Sequence, residues 1–304
     1  MESISKEMFQ PAQKTTNAEA IVRPSLNYWA DAWRRLRKNK LAMGGLIILV
    51  ILFLLAIIGP MLTPFSYATQ HLKETNLAPS SKYWLGTDDF GRDMWARIWW
   101  GTRISLFIGL VAAALDLVVG VLYGSISAYF GGKVDAFMQR FIEIIYSIPY
   151  LLIAILLMMV LGSGVTSIIL AYAITGWVTM ARLVRGQMLV LKEQEFVLAA
   201  RSLGAKSWRI IAKHLIPNVL GVVVVQITFV VPTAIFVEAF LSFIGLGVKP
   251  PLASLGNLLN DGAGVMRYHP HRLLFPTVIF SLILLSFNLL GDGLRDALDP
   301  KMRK

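Results

Sequence analysis

The chain has 304 residues, 56% of them hydrophobic and only 15% charged, where a soluble domain carries about 25% charge. That composition excludes a soluble enzyme, and the absence of cysteine excludes disulfide frameworks, thiolate metal sites and cysteine nucleophiles. A net charge of +11 raises a nucleic-acid partner, and the placement of the charge removes it.

In chain order, residues 1–40 form a polar tail ending in Arg34-Arg35-Leu36-Arg37-Lys38-Asn39-Lys40. Within it Leu26–Leu36 is amphipathic and is expected to lie on the membrane surface, with Trp29 and Trp33 at headgroup depth. Leu41–Leu62 is uncharged, longer than a signal-peptide core of about 7–15 residues, and has no small-residue cleavage site after it, so it predicts a retained transmembrane helix. Five more spans follow, at Ile104–Tyr129, Phe141–Leu161, Gly164–Met180, Leu215–Val237 and Leu273–Leu290. Ile144–Ala181 has no Asp, Glu, Lys or Arg and is too long for one crossing; Leu161-Gly162-Ser163-Gly164 supplies the break. An even number of spans puts both termini on one side. With that side cytoplasmic, 21 of the 29 Lys/Arg fall in the inner segments, as the positive-inside rule requires. The basic balance is therefore a topology signal. The expected fold is all-α, a polytopic membrane protein of six transmembrane helices, with an extracytoplasmic loop at 63–103 and a cytoplasmic tail at 292–304.

The hydrophilic stretch 181–216 is longer than a connection needs, and loops are where function concentrates. Its spacing predicts a short helix over Glu195–Leu203 that Gly204 stops, then a second over Ala205–Lys213 running into Pro217 and the fifth span. Phe196, Ala199, Ala200 and Leu203 share one stripe, and two alanines on it form a narrow ridge suited to a partner's cleft.

Leu198-Ala199-Ala200, three residues, Gly204, nine residues and His214-Leu215-Ile216-Pro217 resemble the cytoplasmic EAA loop of ABC-importer permeases, Glu-Ala-Ala-x3-Gly-x9-Ile-x-Leu-Pro. The departures are Leu198 for Glu, His214 for Ile and Ile216 for Leu. Four longer stretches resemble the dipeptide/oligopeptide/nickel subfamily in order: Leu85–Asp93, Ala181–Gln187, Glu238–Val248 and Gly291–Pro300. Over roughly residues 30–304 the pattern is similar to the C-type permease subunits of oligopeptide importers. The resemblance implies a prokaryotic cell membrane, a B-type permease subunit as heterodimer partner, two ATPase subunits, an extracytoplasmic substrate-binding protein and a peptide cargo. It implies that ATP and Mg bind the partner ATPases and that this chain carries no cofactor and is no enzyme. The residues agree: the nearest approach to a P-loop is Gly132-Lys133-Val134, with Ser127 at the first glycine position and no hydroxyl residue after the lysine. Glu195, Phe196, Leu198, Ala199, Ala200, Arg201, Leu203, Gly204 and Pro217 are then the expected ATPase-coupling residues, with the 130–140 loop as an additional contact.

Asp116 falls near the middle of span two, where a carboxylate costs about 2.5–3.5 kcal/mol on insertion scales and must face a cavity or a partner. With Gln226, Glu238 and Asn288 it forms the candidate translocation path. Its other reading is an interhelical hydrogen bond to Gln226 or Asn288. In the outer loop, Trp84, Asp88, Asp89, Arg92 and Asp93 are candidates for docking the binding protein, and the Leu85–Asp93 turn reads first as structural. His269-Pro270-His271 has the chemistry of a nickel site but no third ligand, so it is read as a solvated turn with no metal site; against an oligopeptide importer, a nickel or dipeptide importer is the alternative. A proton-coupled secondary transporter is the rival from another class.

Overall fold

The computed structural model describes residues 28–299, so the tail up to residue 27 and the last five residues lie outside it. Among the described residues there are helices and one isolated bridge, Thr87 to Asp93.

Helix α1 (Tyr28–Lys38) is amphipathic as expected: Ala32 and Leu36 are buried, whereas Trp29 and Trp33 are exposed. Asn39 caps α2 (Lys40–Ile58), its side chain accepting from the backbone N–H groups of Leu41 and Ala42 at 3.1 and 3.2 Å. The N-terminus of α3 (Met94–Leu115) is capped by Asp93, which accepts from the Ala96 N–H at 2.9 Å. Helix α3 passes through a π-turn at Asp116–Gly120 into α4 (Val121–Phe130), making one 37-residue span from Met94. At 1.5 Å per residue that is about 55 Å, so it extends well beyond a hydrocarbon layer of about 30 Å, and the span starts ten residues before the expected Ile104.

The expected third span, Phe141–Leu161, is not one straight helix. Helices α5 (Gly132–Ser147) and α6 (Tyr150–Leu161) meet at 74°. Pro149 has no N–H to continue the ladder and forces Ile148 out of helical geometry, to φ −89° and ψ 119°. Gly162-Ser163-Gly164 then turns the chain, as expected, into α7 (Val165–Thr175) and α8 (Trp177–Leu191). After α9 (Glu195–Ser202) and α10 (Ser207–Ile210), a π-turn at Ile211–Leu215 leads into α11 (Ile216–Phe243). Pro217 removes the N–H that residue 213 would have accepted, and the turn widens to absorb the loss. The span therefore runs 37 residues from Ser207. An outer helix absent from the expectation, α12 (Leu255–Val265), precedes α13 (His271–Leu298), which outlasts its expected end at Leu290 and buries Ala297 against Leu36 and Ala42.

Of the seven apolar clusters among the described residues, two are the largest. One joins α2, α3, α11 and α13 through Leu49, Leu106, Val231, Ile283 and Phe287. The other joins α4, α8 and α11 and receives Val197 from α9. Helices α4 and α8 approach closely because Gly124 has no side chain; a Cβ there would sit 2.4 Å from the Ala181 carbonyl oxygen. Ile47, Ile51, Leu54 and Ile58 on α2 are about half exposed and leave an apolar face for lipid.

Candidate functional site

Three regions carry the polar chemistry. The first is α9. Gly204, at φ +78°, is the left-handed stop, and the Ala205 N–H bonds the Ala200 carbonyl at 3.0 Å, closing the six-to-one loop of a Schellman motif. Glu195 in the first turn and Arg201 in the last both suit the helix dipole. Val197 is fully buried and Ala200 packs partly on the same core, so these two anchor the helix to its own chain. Phe196, Leu198, Ala199, Arg201 and Leu203 face outward, Leu203 with 87% of its surface exposed, and Pro217 is exposed beyond them. The stripe is thus an unburied apolar surface with Ala200 at its edge. On the same chain, the start of α5 is tied down by Asp135, which accepts from Arg185 at 2.6 and 2.5 Å and from Ser127 at 2.5 Å. Phe130, Val134 and Phe137 remain exposed there.

The second region is a cavity of about 470 Å³ among α5, α6, α7, α8 and α11, within the about 300–1,000 Å³ typical of small-ligand sites. Asp116 and Gln226 line it together, with Tyr146, Tyr150, Tyr172 and Thr175. The other two path candidates are elsewhere. Glu238 is fully enclosed, accepting from Ser105 at 2.7 Å and Ser242 at 2.8 Å, and ties α3 to α11 next to the start of α12. Asn288 is exposed on α13 and does not line the cavity. Asp116 makes no hydrogen bond through its buried Oδ1, so the expected bond to Gln226 or Asn288 is not formed there. The tyrosines came from no sequence signal, because their spans read as uniformly apolar.

The third region is the Leu85–Asp93 turn. Asp88 is its hub: Oδ1 accepts from the Phe90 and Arg92 N–H groups at 2.9 Å, and Oδ2 pairs with Arg92 at 2.6 Å and Arg97 at 3.3 Å. Asp88, Arg92 and Asp93 are buried, which gives these three docking candidates a structural role inside the turn. Thr63 bonds Asp93 at 3.3 Å, and burial pushes the Asp93 carboxyl above the ordinary range. Asp89 is half exposed and accepts from buried Arg272 on α13 at 2.5 and 2.8 Å, a two-pronged bond that holds its carboxyl below the ordinary range. Trp84 is 44% exposed and stacks edge-on against Trp95, while Phe90 is 48% exposed. The surface left for a partner is therefore Trp84, Phe90 and one edge of Asp89. His271, expected in a solvated turn, instead opens α13 and packs against Gly86. Among the described residues no group of three or more His, Cys, Asp or Glu could hold a metal ion.

Comparison with known proteins adds family and fold. Residues 120–304 match the family model of binding-protein-dependent transport system inner membrane components, and residues 27–79 match that of the N-terminal transmembrane domain of oligopeptide transport permease C. The dipeptide transport system permease of Bacillus subtilis is 53% identical, with 96% of this chain and 92% of the relative covered. The oligopeptide transport system permease of the same organism is 52% identical over the whole of both chains. That of Haemophilus influenzae is 44% identical, over 90% of this chain and 89% of the relative. Among solved structures, an inward-facing methionine ABC transporter aligns with a TM-score of 0.54 and 19% identity, covering 66% of this chain and 94% of that one, a likeness of fold alone.

Proposed function

The chain belongs to the binding-protein-dependent transport system inner membrane components, and from that membership we propose that it is the C-type permease subunit of an ATP-driven peptide importer. The observation that carries this reading is full-length similarity, above 50% identity, to permeases of oligopeptide and dipeptide transport systems. A permease alone equilibrates its cargo, so accumulation needs a partner whose nucleotide state biases inward-open against outward-open arrangements. The cargo path is assigned to the Asp116–Gln226 cavity, with the other half supplied by a B-type permease.

Coupling is assigned to α9. Its outward Phe196, Leu198, Ala199 and Leu203 are apolar side chains on a polar loop, which a protein cleft accounts for and water does not. Two ATPase subunits hold ATP and Mg, and an extracytoplasmic binding protein meets the Trp84–Phe90 surface. Both termini are cytoplasmic in this arrangement. Because the chain has no native cysteine, Ser80→Cys is expected to react with an impermeant thiol reagent from outside, and Ser207→Cys only in opened membranes.

The decisive experiment is uptake into vesicles holding the complete transporter, with peptide and nickel offered in parallel. ATP-dependent peptide accumulation is expected. Uptake driven by a pH gradient with no ATPase present contradicts the importer reading, and ATP-driven uptake of nickel but not peptide contradicts the cargo.

A further inference from the structure

We propose that the Asp116 cavity is a subsite for a primary ammonium group, the amino terminus of a peptide in transit, held by one carboxylate and a wall of tyrosine rings. The proposal rests on the peptide reading above and deepens it.

Asp116 is 2% exposed, and its Oδ1 is buried without a hydrogen-bond partner. An ionisable side chain within a span is costly, and one without an internal partner needs a partner from outside the chain. The residues around it narrow the chemistry of that partner. Among the described residues no Lys, Arg or His lines the cavity, and Asp116 is its one carboxylate. Tyr150 and Tyr172 supply ring faces, their centroids 5.2 Å apart, and the Tyr150 hydroxyl is also buried and unpartnered; the Tyr146 ring is already covered by the Arg182 guanidinium, 4.4 Å from its centroid. A single carboxylate beside aromatic faces is the arrangement that attracts an organic cation. Hydroxyl and amide groups of Thr175 and Gln226 can accept from the remaining ammonium hydrogens. A divalent metal fits poorly, because among the described residues no second carboxylate or imidazole lies in the lining.

The backbone also breaks at this place. The π-turn begins at Asp116, and the 74° bend between α5 and α6 falls at Pro149, next to Tyr150. Carboxylate and ring are therefore carried on the two segments of the cavity wall with irregular helical hydrogen bonding, where a change of geometry costs least. Among the cations a peptide can carry, guanidinium and imidazolium depend on its side chains, whereas every unmodified peptide has an ammonium group at its amino terminus.

The test uses the complete transporter in vesicles and trialanine as the probe. Asp116→Asn keeps the shape and removes the charge; uptake of trialanine is expected to fall about tenfold or more, because the lost contact is charge-assisted. Asp116→Glu is expected to retain most of it. A second measurement uses the wild-type complex without binding protein, so that the binding protein's own selectivity does not enter. Bound radiolabelled trialanine is expected to be displaced by unlabelled trialanine and not by N-acetyl-trialanine, which has no ammonium. Wild-type uptake matched by Asp116→Asn overturns the subsite alone, whereas vesicles in which the wild type imports no trialanine overturn the peptide reading with it. If Asp116→Asn fails to assemble, the wild-type competition decides, and equal displacement by N-acetyl-trialanine overturns the proposal.

Discussion

The Leu85–Asp93 turn and the α9 loop are both polar segments beside the membrane, and they use their residues in opposite ways. In the turn, Asp88, Arg92 and Asp93 are buried, as is Arg97 on α3, and Asp88 spends its charge on the two arginines and on backbone N–H groups. Arg272 reaches from α13 to Asp89 and locks the turn to the bundle. In α9, Val197 alone is fully buried, and Phe196, Leu198, Ala199 and Leu203 stand outward. A motif rich in charge turns out to be internal scaffolding, and a motif of small apolar residues turns out to be surface. Residue chemistry alone does not say which segment meets a partner; what its side chains already touch does.

The sharpest way to break this comparison is Asp88→Ala. It strands two buried guanidinium groups, and removing one member of a buried pair costs about 3–5 kcal/mol. The share of folded permease surviving heating in detergent is expected to fall steeply. Unchanged heat resistance would assign the turn to docking instead of scaffolding.

Ala200→Arg comes next. Because Ala200 packs partly on the inner core, a long cation there strains α9 against its own chain, by about 1–3 kcal/mol, and under the proposed coupling it also obstructs the ATPase. Loss of uptake and loss of ATPase co-purification are expected together with a modest drop in heat resistance, while Ala199→Ser is expected to be mild. Leu203→Asp separates the two effects. The residue is exposed, so stability should change by no more than about 0.5 kcal/mol while uptake and ATPase retention fall. Full uptake by Leu203→Asp would leave the 130–140 segment as the coupling element.

The span pattern, the break at Gly162-Ser163-Gly164 and the stop at Gly204 were legible because each is a local rule, of apolar length or of backbone freedom. The bend at Pro149 carried its own signal, but the uniformly apolar residues around it read as one crossing. Helix α12 was hidden by Gly256, Gly262 and Gly264, which lower helix propensity, and it forms because Leu255 and Leu258 pack into the bundle. Depth in the membrane was also no guide to direction. Asp116 and Gln226 meet at the cavity, whereas Glu238 turns to Ser105 and Asn288 to the exterior, because which helix face is inside depends on packing between distant segments.

The smallest effect concerns acid. The Arg272 bond holds the Asp89 carboxyl low, so the stability it contributes is fully present above the unfolded value of about 3.9 and is lost as pH falls through the lower folded value. Half exposure makes this contribution small. Unfolding temperature is therefore expected to be insensitive to Asp89→Asn pH titration near neutrality beyond a constant offset, with the two proteins converging only in strong acid. Convergence already near pH 6 would mean that Arg272 does not hold this carboxylate.

The most direct measurement is crosslinking between single cysteines of this naturally cysteine-free chain and the ATPase subunits in native membranes. Leu203→Cys on the outward face of α9 and Lys133→Cys near the start of α5 are compared with Phe90→Cys in the turn, using a short thiol-to-amine reagent. Efficient capture of the ATPase through residue 203, weaker capture through residue 133 and none through residue 90 is the predicted result. Capture through residue 133 with none through residue 203 would contradict the assignment of α9 as the coupling helix.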